Sequence, residues 1–300
     1  MYDTIVIPAD GSEHSTRAAE HGLALARHYG STVHAINVVD VQRAAGLFSA
    51  GGIDEAFVDK VEAAGREAVR AIEKTANDSD DIRSAVVQGS PWKAPSAGIL
   101  EYATDQDAEL IVMGTHGRTG LNRTLVGSVT EQVVRSSSIP VLTVRATDRA
   151  TTSEYDEILV PTDGSDASEE AVEQGVAAAA SHGAKVRLLH VVDVGIEMSA
   201  SGLGNVAEQM TEMLDKEARN ILDTAEGRAK EAGVEYERVV LEGFPDEAIV
   251  DYSMKHTVDL IVMGITGRSG IKEKLLGGTT NHVLQSVDAP VLTTQSRDRG

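Results

Sequence analysis

A glycine-punctuated segment, residues 114–130, contains the residue types in this chain best suited to hold an anion. It reads Gly-Thr-His-Gly-Arg-Thr-Gly-Leu-Asn-Arg-Thr-Leu-Val-Gly-Ser-Val-Thr and follows Leu110 to Met113, an apolar run typical of a buried strand. Glycines let the backbone approach a bulky anion, and the unpaired N–H groups of a helix start point toward it. The segment predicts either a phosphate site or simply a tight strand-to-helix turn.

Three side chains near strand ends are further candidates. The carboxylate of Asp10 can accept a hydrogen bond from an exocyclic amine, and the hydroxyl of Ser128 can donate to phosphate. Either residue can instead serve only as a helix cap. Arg118 suits forked contacts with phosphate, and its recurrence as Arg268 favours it over the other charged residues of the loop.

The elements that position these residues occur twice, in the same order. The run that begins at Asp3 reads Asp-Thr-Ile-Val-Ile-Pro-Ala-Asp-Gly-Ser. It returns at Asp156 as Asp-Glu-Ile-Leu-Val-Pro-Thr-Asp-Gly-Ser. Later pairs are Gln88-Gly-Ser-Pro with Glu242-Gly-Phe-Pro, Leu110-Ile-Val-Met-Gly with Leu260-Ile-Val-Met-Gly, and Ile139-Pro-Val-Leu-Thr with Ala289-Pro-Val-Leu-Thr. The offset stays near half of the chain, which indicates a tandem duplication rather than a solenoid.

Each half is predicted to alternate strands and helices. In the first half we expect strands over residues 4–8, 32–39, 82–88, 110–113 and 141–144, and helices after Ser12, over 55–77 and over 94–105. Near-continuous apolar strands separated by helices predict a parallel sheet covered on both faces, with ligands at the carboxyl ends of the strands. The polar linker from Ala146 to Tyr155 predicts two domains, 1–146 and 156–296.

The combined motifs resemble the universal stress protein family. The family's fingerprint, Gly-x2-Gly-x9-Gly-Ser/Thr, is matched by Gly114, Gly117, Gly127 and Ser128. Five ordered elements occur in each half, so the resemblance covers essentially the whole chain. It implies two tandem Rossmann-like (adenine nucleotide α-hydrolase-like) domains, each a five-stranded mostly parallel sheet with helices on both faces.

The resemblance also implies an adenine-nucleotide site of the ATP-binding type, with Mg2+ or Mn2+ as an optional companion of the phosphates. By matching position, Asp10 would bind adenine, the backbone of Val38 would border the base and Gly89 would lie near the ribose. The ribose-phosphate path would be lined in the first half by Met113, Gly114, Gly117, Arg118, Gly127, Ser128 and Val129, with Ala9 beside Asp10. The corresponding residues of the second half are Thr162, Asp163, Val191, Gly243, Met263, Gly264, Gly267, Gly277, Gly278 and Thr279.

The second copy departs from the fingerprint at one position. Gly278 stands where Ser or Thr is expected, and Thr279 comes one residue late. Loss of a hydroxyl removes one phosphate contact, worth about 1 to 3 kcal/mol if charge-assisted. We therefore expect asymmetry: a bulky residue at Gly127 should remove most ATP binding, and the same change at Gly277 should matter less.

No catalytic constellation is recognised, so no catalytic residue and no metal ligand is assigned. The loop lacks the Lys of a Gly-x4-Gly-Lys-Ser/Thr phosphate loop. The family resemblance leaves room for slow ATP hydrolysis or self-phosphorylation on Ser128 or Thr130. We expect a nucleotide-dependent stress-response or signalling module; the alternatives are a scaffold of the same fold that binds no nucleotide and, more weakly, a nucleotide-consuming enzyme.

Charge is the strongest compositional signal. Asp and Glu total 47 against 27 Lys and Arg, a formal net charge of −20, which disfavours nucleic acid and anionic membranes as partners. Strong acidity with few lysines resembles proteins of salt-adapted organisms, and the alternative is an ordinary acidic cytosolic protein. Cys is absent and no apolar run approaches the roughly 20 residues of a membrane helix, so we expect a cytoplasmic protein.

The last strand of each half suggests how the chain assembles. Domains of the family often pair through this strand, and the runs after Pro140 and Pro290 offer two such edges. We expect an intramolecular pseudo-dimer of the two halves, and the sequence leaves open whether two chains form a further homodimer.

Overall fold

A computed structural model describes residues 1–41, 55–89, 94–115, 126–146, 154–193, 205–265 and 276–296. Contacts divide the chain, Met1 aside, into two compact units, Tyr2–Ser153 and Glu154–Gly300. No helix in the described part of the chain is long and apolar enough to cross a membrane.

The first half contains one parallel sheet. Its strands are β1 (Thr4–Pro8), β2 (Thr32–Val39), β3 (Ile82–Gln88), β4 (Leu110–Gly114) and β5 (Val141–Val144), and its described helices are α1 (Glu13–Tyr29), α2 (Glu55–Glu73), α3 (Pro95–Asp105) and α4 (Ser128–Ser136). The strand order is β3-β2-β1-β4-β5, with every pair parallel. Strand order therefore reverses between β1 and β4, which is where such sheets bind ligands.

The second half repeats this architecture. Its strands are β6 (Glu157–Pro161), β7 (Lys185–Asp193), β8 (Tyr236–Gly243), β9 (Leu260–Gly264) and β10 (Val291–Thr294), and its described helices are α5 (Asp166–His182), α6 (Asn205–Ala232), α7 (Pro245–Lys255) and α8 (Gly278–Ser286). The order β8-β7-β6-β9-β10 is again parallel throughout. The predicted fold class is confirmed in both halves.

Apolar strands form the core of each half. Ile5, Ile7 and Ile111 in the first sheet, and Ile158 and Leu159 in the second, are completely or almost completely buried. In each half two helices pack side by side on one face of the sheet and two on the other, α1 beside α2 and α3 beside α4 in the first half. Burial from both faces explains why the strands are continuously apolar rather than alternating.

The first helix of each half has a serine N-cap and a C-terminal glycine. The Ser12 hydroxyl accepts from the backbone N–H of Ser15, and Gly30 ends α1 in the left-handed conformation with φ 72°. Ser165 and Gly183 do the same for α5. A polar N-cap and a C-terminal glycine thus set the length of the helix that follows each first strand.

Two sequence assignments need correction. Tyr155, placed in the polar linker, is buried, and its ring packs against His182 at the end of α5. The second concerns the repeated Gly-x-Pro motif, in which the sequence pairs Pro91 with Pro245. Helix α7 begins at Pro245 and its counterpart α3 begins at Pro95, so the structural counterpart of Pro245 is Pro95. Pro91, the match suggested by the motif, lies outside the described residues.

Candidate functional site

An open cleft of about 260 Å³ lies in the second half, at the carboxyl ends of β6, β7 and β9 and the start of α8. The cleft is lined by eight of the ten residues predicted for this half: Thr162, Asp163, Val191, Met263, Gly264, Gly277, Gly278 and Thr279. These residues come from four separate segments of the sequence. The fold therefore brings them together at the edge of the sheet where ligands of parallel α/β folds bind.

The start of α8 presents unpaired donors toward this cleft. Gly277 is the N-cap, and its N–H donates to the carbonyl oxygen of Ile265 at 2.8 Å. Helix α8 begins at Gly278, so the N–H groups of Gly278 and Thr279 have no acceptor within the helix. Together with the positive end of the helix dipole, they can hold an anion.

The first half repeats this arrangement at α4. Gly127 is the N-cap, and its N–H donates to the carbonyl oxygen of Thr115 at 2.5 Å. Ser128 is the first helical residue and is exposed. The alternative interpretation of Ser128 as a helix N-cap is therefore wrong, and its hydroxyl extends the row of donors at the helix start.

A buried threonine fixes each helix start to the adjacent strand. The hydroxyl of Thr130 donates to the carbonyl oxygen of Gly114 at 2.8 Å, and that of Thr280 donates to Gly264 at 2.9 Å. Because the Thr130 hydroxyl is buried and already bonded, it is poorly suited to self-phosphorylation. The exposed Ser128 carries no such restriction.

Gly114 and Gly264 allow the first helix of each half to approach the fourth strand. A Cβ at Gly114 would lie 2.7 Å from the backbone carbonyl carbon and oxygen of His14, and one at Gly264 would lie 2.7 Å from that carbon of Ala167. Such distances are shorter than van der Waals contact. Both glycines are thus required by the packing of α1 and α5, in addition to any role beside a ligand.

The two Asp-Gly-Ser turns have the same geometry, and each turn orients a carboxylate. Asp10 Oδ1 accepts from the backbone N–H of Ser12 at 2.9 Å, and Asp163 Oδ1 accepts from the backbone N–H and hydroxyl of Ser165 at 3.0 and 2.6 Å. Ser12 and Ser165 are the N-caps, so neither Asp caps its helix directly. A carboxylate offers about four acceptor positions, which leaves each able to accept from a ligand.

The two sites differ beside these carboxylates. The Thr162 hydroxyl lies 3.1 Å from that of Ser168, and both residues line the second cleft. In the first half Ala9 takes the place of Thr162 and is buried. The backbone carbonyl oxygens of these two residues each accept a side-chain hydrogen bond. The oxygen of Ala9 accepts from Asn37 Nδ2 at 2.6 Å, and that of Thr162 accepts from His190 Nδ1 at 2.9 Å.

His14 adds a titratable group to the first half. Burial lowers the pKa of its imidazole, with opposing contributions from the nearby carboxylates of Glu13 and Asp10. The Nδ1 atom accepts a hydrogen bond from the backbone N–H of Ala146 at 3.3 Å, which suits a neutral ring. Ala167 replaces His14 in the second half, so this group is specific to the first site.

The other predicted residues fall into three groups. Val38 lies on β2 and contacts α3 at Gly98, Gly89 follows β3 with its N–H bonded to Val39, and Met113 is buried on β4. Gly243 ends β8 but does not line the cleft, and Val129 is partly buried in the first turn of α4. The remaining three lie outside the described residues: Gly117, Arg118 and Gly267.

Comparison with known proteins agrees with this geometry. A model of the universal stress protein family matches residues 1–145 and, a second time, residues 154–295. The chain belongs to the universal stress protein family.

Relatives of this universal stress protein match one half or the whole chain. Universal stress protein MJ0531 of Methanocaldococcus jannaschii is 40% identical over 146 residues, covering 48% of this chain and 83% of the relative. Universal stress protein Mb2028c of Mycobacterium bovis is 27% identical over 294 residues, covering 97% and 96%. A crystal structure of a universal stress protein from Archaeoglobus fulgidus has a TM-score of 0.68 at 21% identity, covering 99% and 98%, which indicates a shared fold.

Several cleft residues of this universal stress protein escaped the sequence prediction. They are mostly apolar or occupied in hydrogen bonds: Pro161, Ser168, Leu189, Pro245, Ile249 and Thr280. Pro245 could have been found from the repeated Gly-x-Pro motif, of which only the glycine, Gly243, was assigned to the site. The others belong to ordinary core patterns, and only the packing of separate elements brings them to the cleft.

Proposed function

We propose that this universal stress protein binds ATP at the carboxyl ends of the strands in each half and acts as a nucleotide-dependent stress-response or signalling module. The observation that carries the proposal is the convergence of eight predicted residues on one cleft in the second half. They combine a carboxylate, apolar walls and the donors of a helix start, which are complementary to an adenine ring and a phosphate chain.

The base would occupy the part of the cleft nearest β6 and β7. Leu189, Val191 and Ile249 provide apolar surface there, and the carboxylate of Asp163 accepts hydrogen bonds. Because Ser165 fixes Asp163 Oδ1 through two hydrogen bonds, the carboxylate is oriented before any ligand arrives. Such preorganisation lowers the entropic cost of binding.

The phosphates would lie at the start of α8. The N–H groups of Gly278 and Thr279 supply donors, and Gly264 and Gly277 expose backbone without side chains. In the first half, the same position carries the additional hydroxyl of Ser128. We therefore propose that the first half binds ATP more tightly than the second.

A divalent cation would accompany the phosphates rather than occupy a protein cage. Among the described residues, no group of three or more His, Asp or Glu side chains is arranged to hold a metal ion. Mg2+ commonly binds through substrate phosphates, one or two protein oxygens and water, and this arrangement requires no such cage.

A bulky side chain at the helix start of each half tests the proposal. A Cβ at Gly278 has nothing within 4 Å, and Ser128 is exposed, so tryptophan at either position can be accommodated while it obstructs the phosphate end. Gly227 on α6 is equally open and does not line the cleft, which makes Gly227→Trp the matched control.

The readout is retention of radiolabelled ATP in equilibrium dialysis with Mg2+ in molar KCl. Ser128→Trp is expected to remove most binding, Gly278→Trp a smaller part, and the double variant all of it, with Gly227→Trp behaving as wild type. Wild-type protein that retains no ATP would favour the scaffold function. Equal losses from the two single variants would contradict the asymmetry.

A further inference from the structure

The outer strand of the second half, β8, has an exposed edge with an unusual pattern of side chains. It is the terminal strand of its sheet, and its sequence is Tyr-Glu-Arg-Val-Val-Leu-Glu-Gly. Val240 in its centre is 52% exposed, and Phe244, immediately after it, is 50% exposed. Long edge strands with exposed apolar residues are usually covered or interrupted, because their free N–H and C=O groups can pair with another chain.

Backbone geometry determines which residues of β8 face outward. The N–H of Val186 on β7 donates to the carbonyl oxygen of Glu235, so the backbone of Glu235 faces β7. Hydrogen bonding alternates along a strand, and the even-numbered residues therefore direct their N–H and C=O groups away from the sheet. On β8 these residues are Tyr236, Arg238, Val240 and Glu242.

Only one antiparallel register of two β8 strands pairs opposite charges. In an antiparallel pair, each even-numbered residue must lie opposite an even-numbered residue of the other copy. One strand can therefore shift along the other only by two residues at a time. Centred on Val240, the register sets Arg238 against Glu242 of the other copy, twice by symmetry. Centring on Arg238 or on Glu242 opposes like charges, and the odd-numbered centres leave Arg238 without an acidic residue opposite it. Opposite charges directly across a pair stabilise it and like charges destabilise it.

The charged side chains of β8 can make these contacts. Arg238 uses Nη1 for both of its recorded bonds, to Asp223 at 2.7 Å and Glu226 at 2.8 Å. These bonds fix the guanidinium beside the strand while Nε and Nη2 remain as donors. Glu242 is exposed, and no partner of its carboxylate is recorded among the described residues.

We propose that a second copy of this chain docks on β8 by antiparallel strand addition centred on Val240, forming a homodimer with two-fold symmetry. The interface combines main-chain hydrogen bonds, two Arg238–Glu242 ion pairs and a central Val240–Val240 contact. At each end of the paired strands, Tyr236 lies near the exposed Phe244 of the other copy, which follows β8 as the N-cap of α7, and the two rings add aromatic surface. Such an interface is isologous, so it closes at two copies.

The first half provides an internal control. The N–H of Val33 on β2 donates to Asp81, so the outward positions of β3 are again even-numbered. Ser84, Val86 and Gln88 occupy the positions of Arg238, Val240 and Glu242. Without opposite charges, β3 lacks the pattern that selects a register, and the proposal assigns the interface to β8 alone.

Sedimentation equilibrium of the full chain in molar KCl tests the proposal, with circular dichroism to verify folding. Wild-type protein is expected to dimerise, and Val240→Lys to be monomeric, whereas the matched Val86→Lys variant remains dimeric. Glu242→Arg places Arg opposite Arg twice and is expected to weaken the dimer by about tenfold or more. Glu242→Gln, which removes the charge without reversing it, is expected to weaken the dimer less than Glu242→Arg.

Three outcomes would overturn the proposal. They are a wild-type protein that is monomeric at every concentration, a dimer as sensitive to Val86→Lys as to Val240→Lys, and a Glu242→Arg variant that dimerises as tightly as wild type. Glu242→Arg removes no recorded contact of the folded chain, so a weakened dimer in this variant is not explained by misfolding. None of these measurements depends on nucleotide, which separates them from the test of ATP binding.

Discussion

The hydroxyl of Thr280 donates to the backbone carbonyl oxygen of Gly264 at 2.9 Å and so joins the start of α8 to the end of β9. The first half repeats the bond between Thr130 and Gly114. In each half a buried hydroxyl therefore helps to set the distance between the strand end and the helix start, and in the second half both of these line the cleft. Fixing this distance before a ligand arrives is a form of preorganisation.

Removing this hydroxyl should loosen the second cleft. Thr280→Val keeps the shape of the side chain but leaves the carbonyl of Gly264 without its donor, which costs about 1 to 3 kcal/mol. Hydrogen-exchange mass spectrometry of peptides covering β9 should show faster exchange. Thr280→Ser, which retains the hydroxyl, should exchange much more slowly than Thr280→Val; identical exchange in the two variants would refute the role assigned to the bond.

A methyl group at Gly264 should destabilise the second half. Its Cβ would lie 2.7 Å from the backbone carbonyl carbon of Ala167, and overpacking of this kind costs about 1 to 3 kcal/mol. Gly278→Ala is the control, because nothing lies within 4 Å of the added Cβ. Urea unfolding monitored by circular dichroism should show an earlier transition for Gly264→Ala alone; equal midpoints would contradict the close approach of α5.

Supplying the missing hydroxyl should strengthen the second site. Gly278→Ser places a donor at the start of α8, where there is open space, and a charge-assisted contact with phosphate is worth about 1 to 3 kcal/mol. Dialysis with ATP in the Ser128→Trp background isolates the second cleft and should show tighter binding. Gly278→Ala in the same background controls for the loss of glycine, and equal affinities of the Ser and Ala variants would count against the hydroxyl.

Acid should remove a stabilising ion pair from the first half. Arg27 donates from Nε and Nη2 to Asp80 at 2.9 and 2.6 Å, and these bonds lower the pKa of the Asp80 carboxyl. Because the pKa is lowered on folding, the stabilisation is present above the ordinary carboxyl pKa and is lost as pH falls through the lowered value. Asp80→Asn should reduce the free energy of unfolding by about 1 kcal/mol at neutral pH.

The measurement is urea unfolding of Asp80→Asn and wild type across the acid range in molar KCl. The difference between them should shrink as the pH falls. Asp78→Asn, at a nearby exposed position, serves as the control and should match wild type throughout. A deficit for Asp80→Asn that is independent of pH would show that the carboxylate charge is not the source of stability.

The sequence predicted elements well where one local pattern determined them. The apolar runs of β1, β2, β3 and β5 matched the structure at both ends. Helix α2 ends at Glu73, four residues before the predicted Asn77, because the N–H and hydroxyl of Thr75 both turn back to the carbonyl of Ile72. That tightened turn competes with helical periodicity and is difficult to recognise from sequence.

The site was less accessible to sequence reasoning. Gly264 was predicted from the fingerprint, yet its contact with Ala167 depends on the packing of a helix distant in the sequence. Thr280 was not assigned to the site because its partner is a backbone carbonyl that any residue could provide. The salt adaptation inferred from the net charge and the pairing of the two halves through their last strands stay predictions.

Calorimetric titration of the wild-type chain with ATP, in molar KCl with Mg2+, tests the central claim most directly. The account predicts a saturating heat of binding below millimolar ATP, with one tight site and a second, weaker one. Absence of binding heat up to millimolar ATP, from protein shown to be folded in the same buffer, would contradict it.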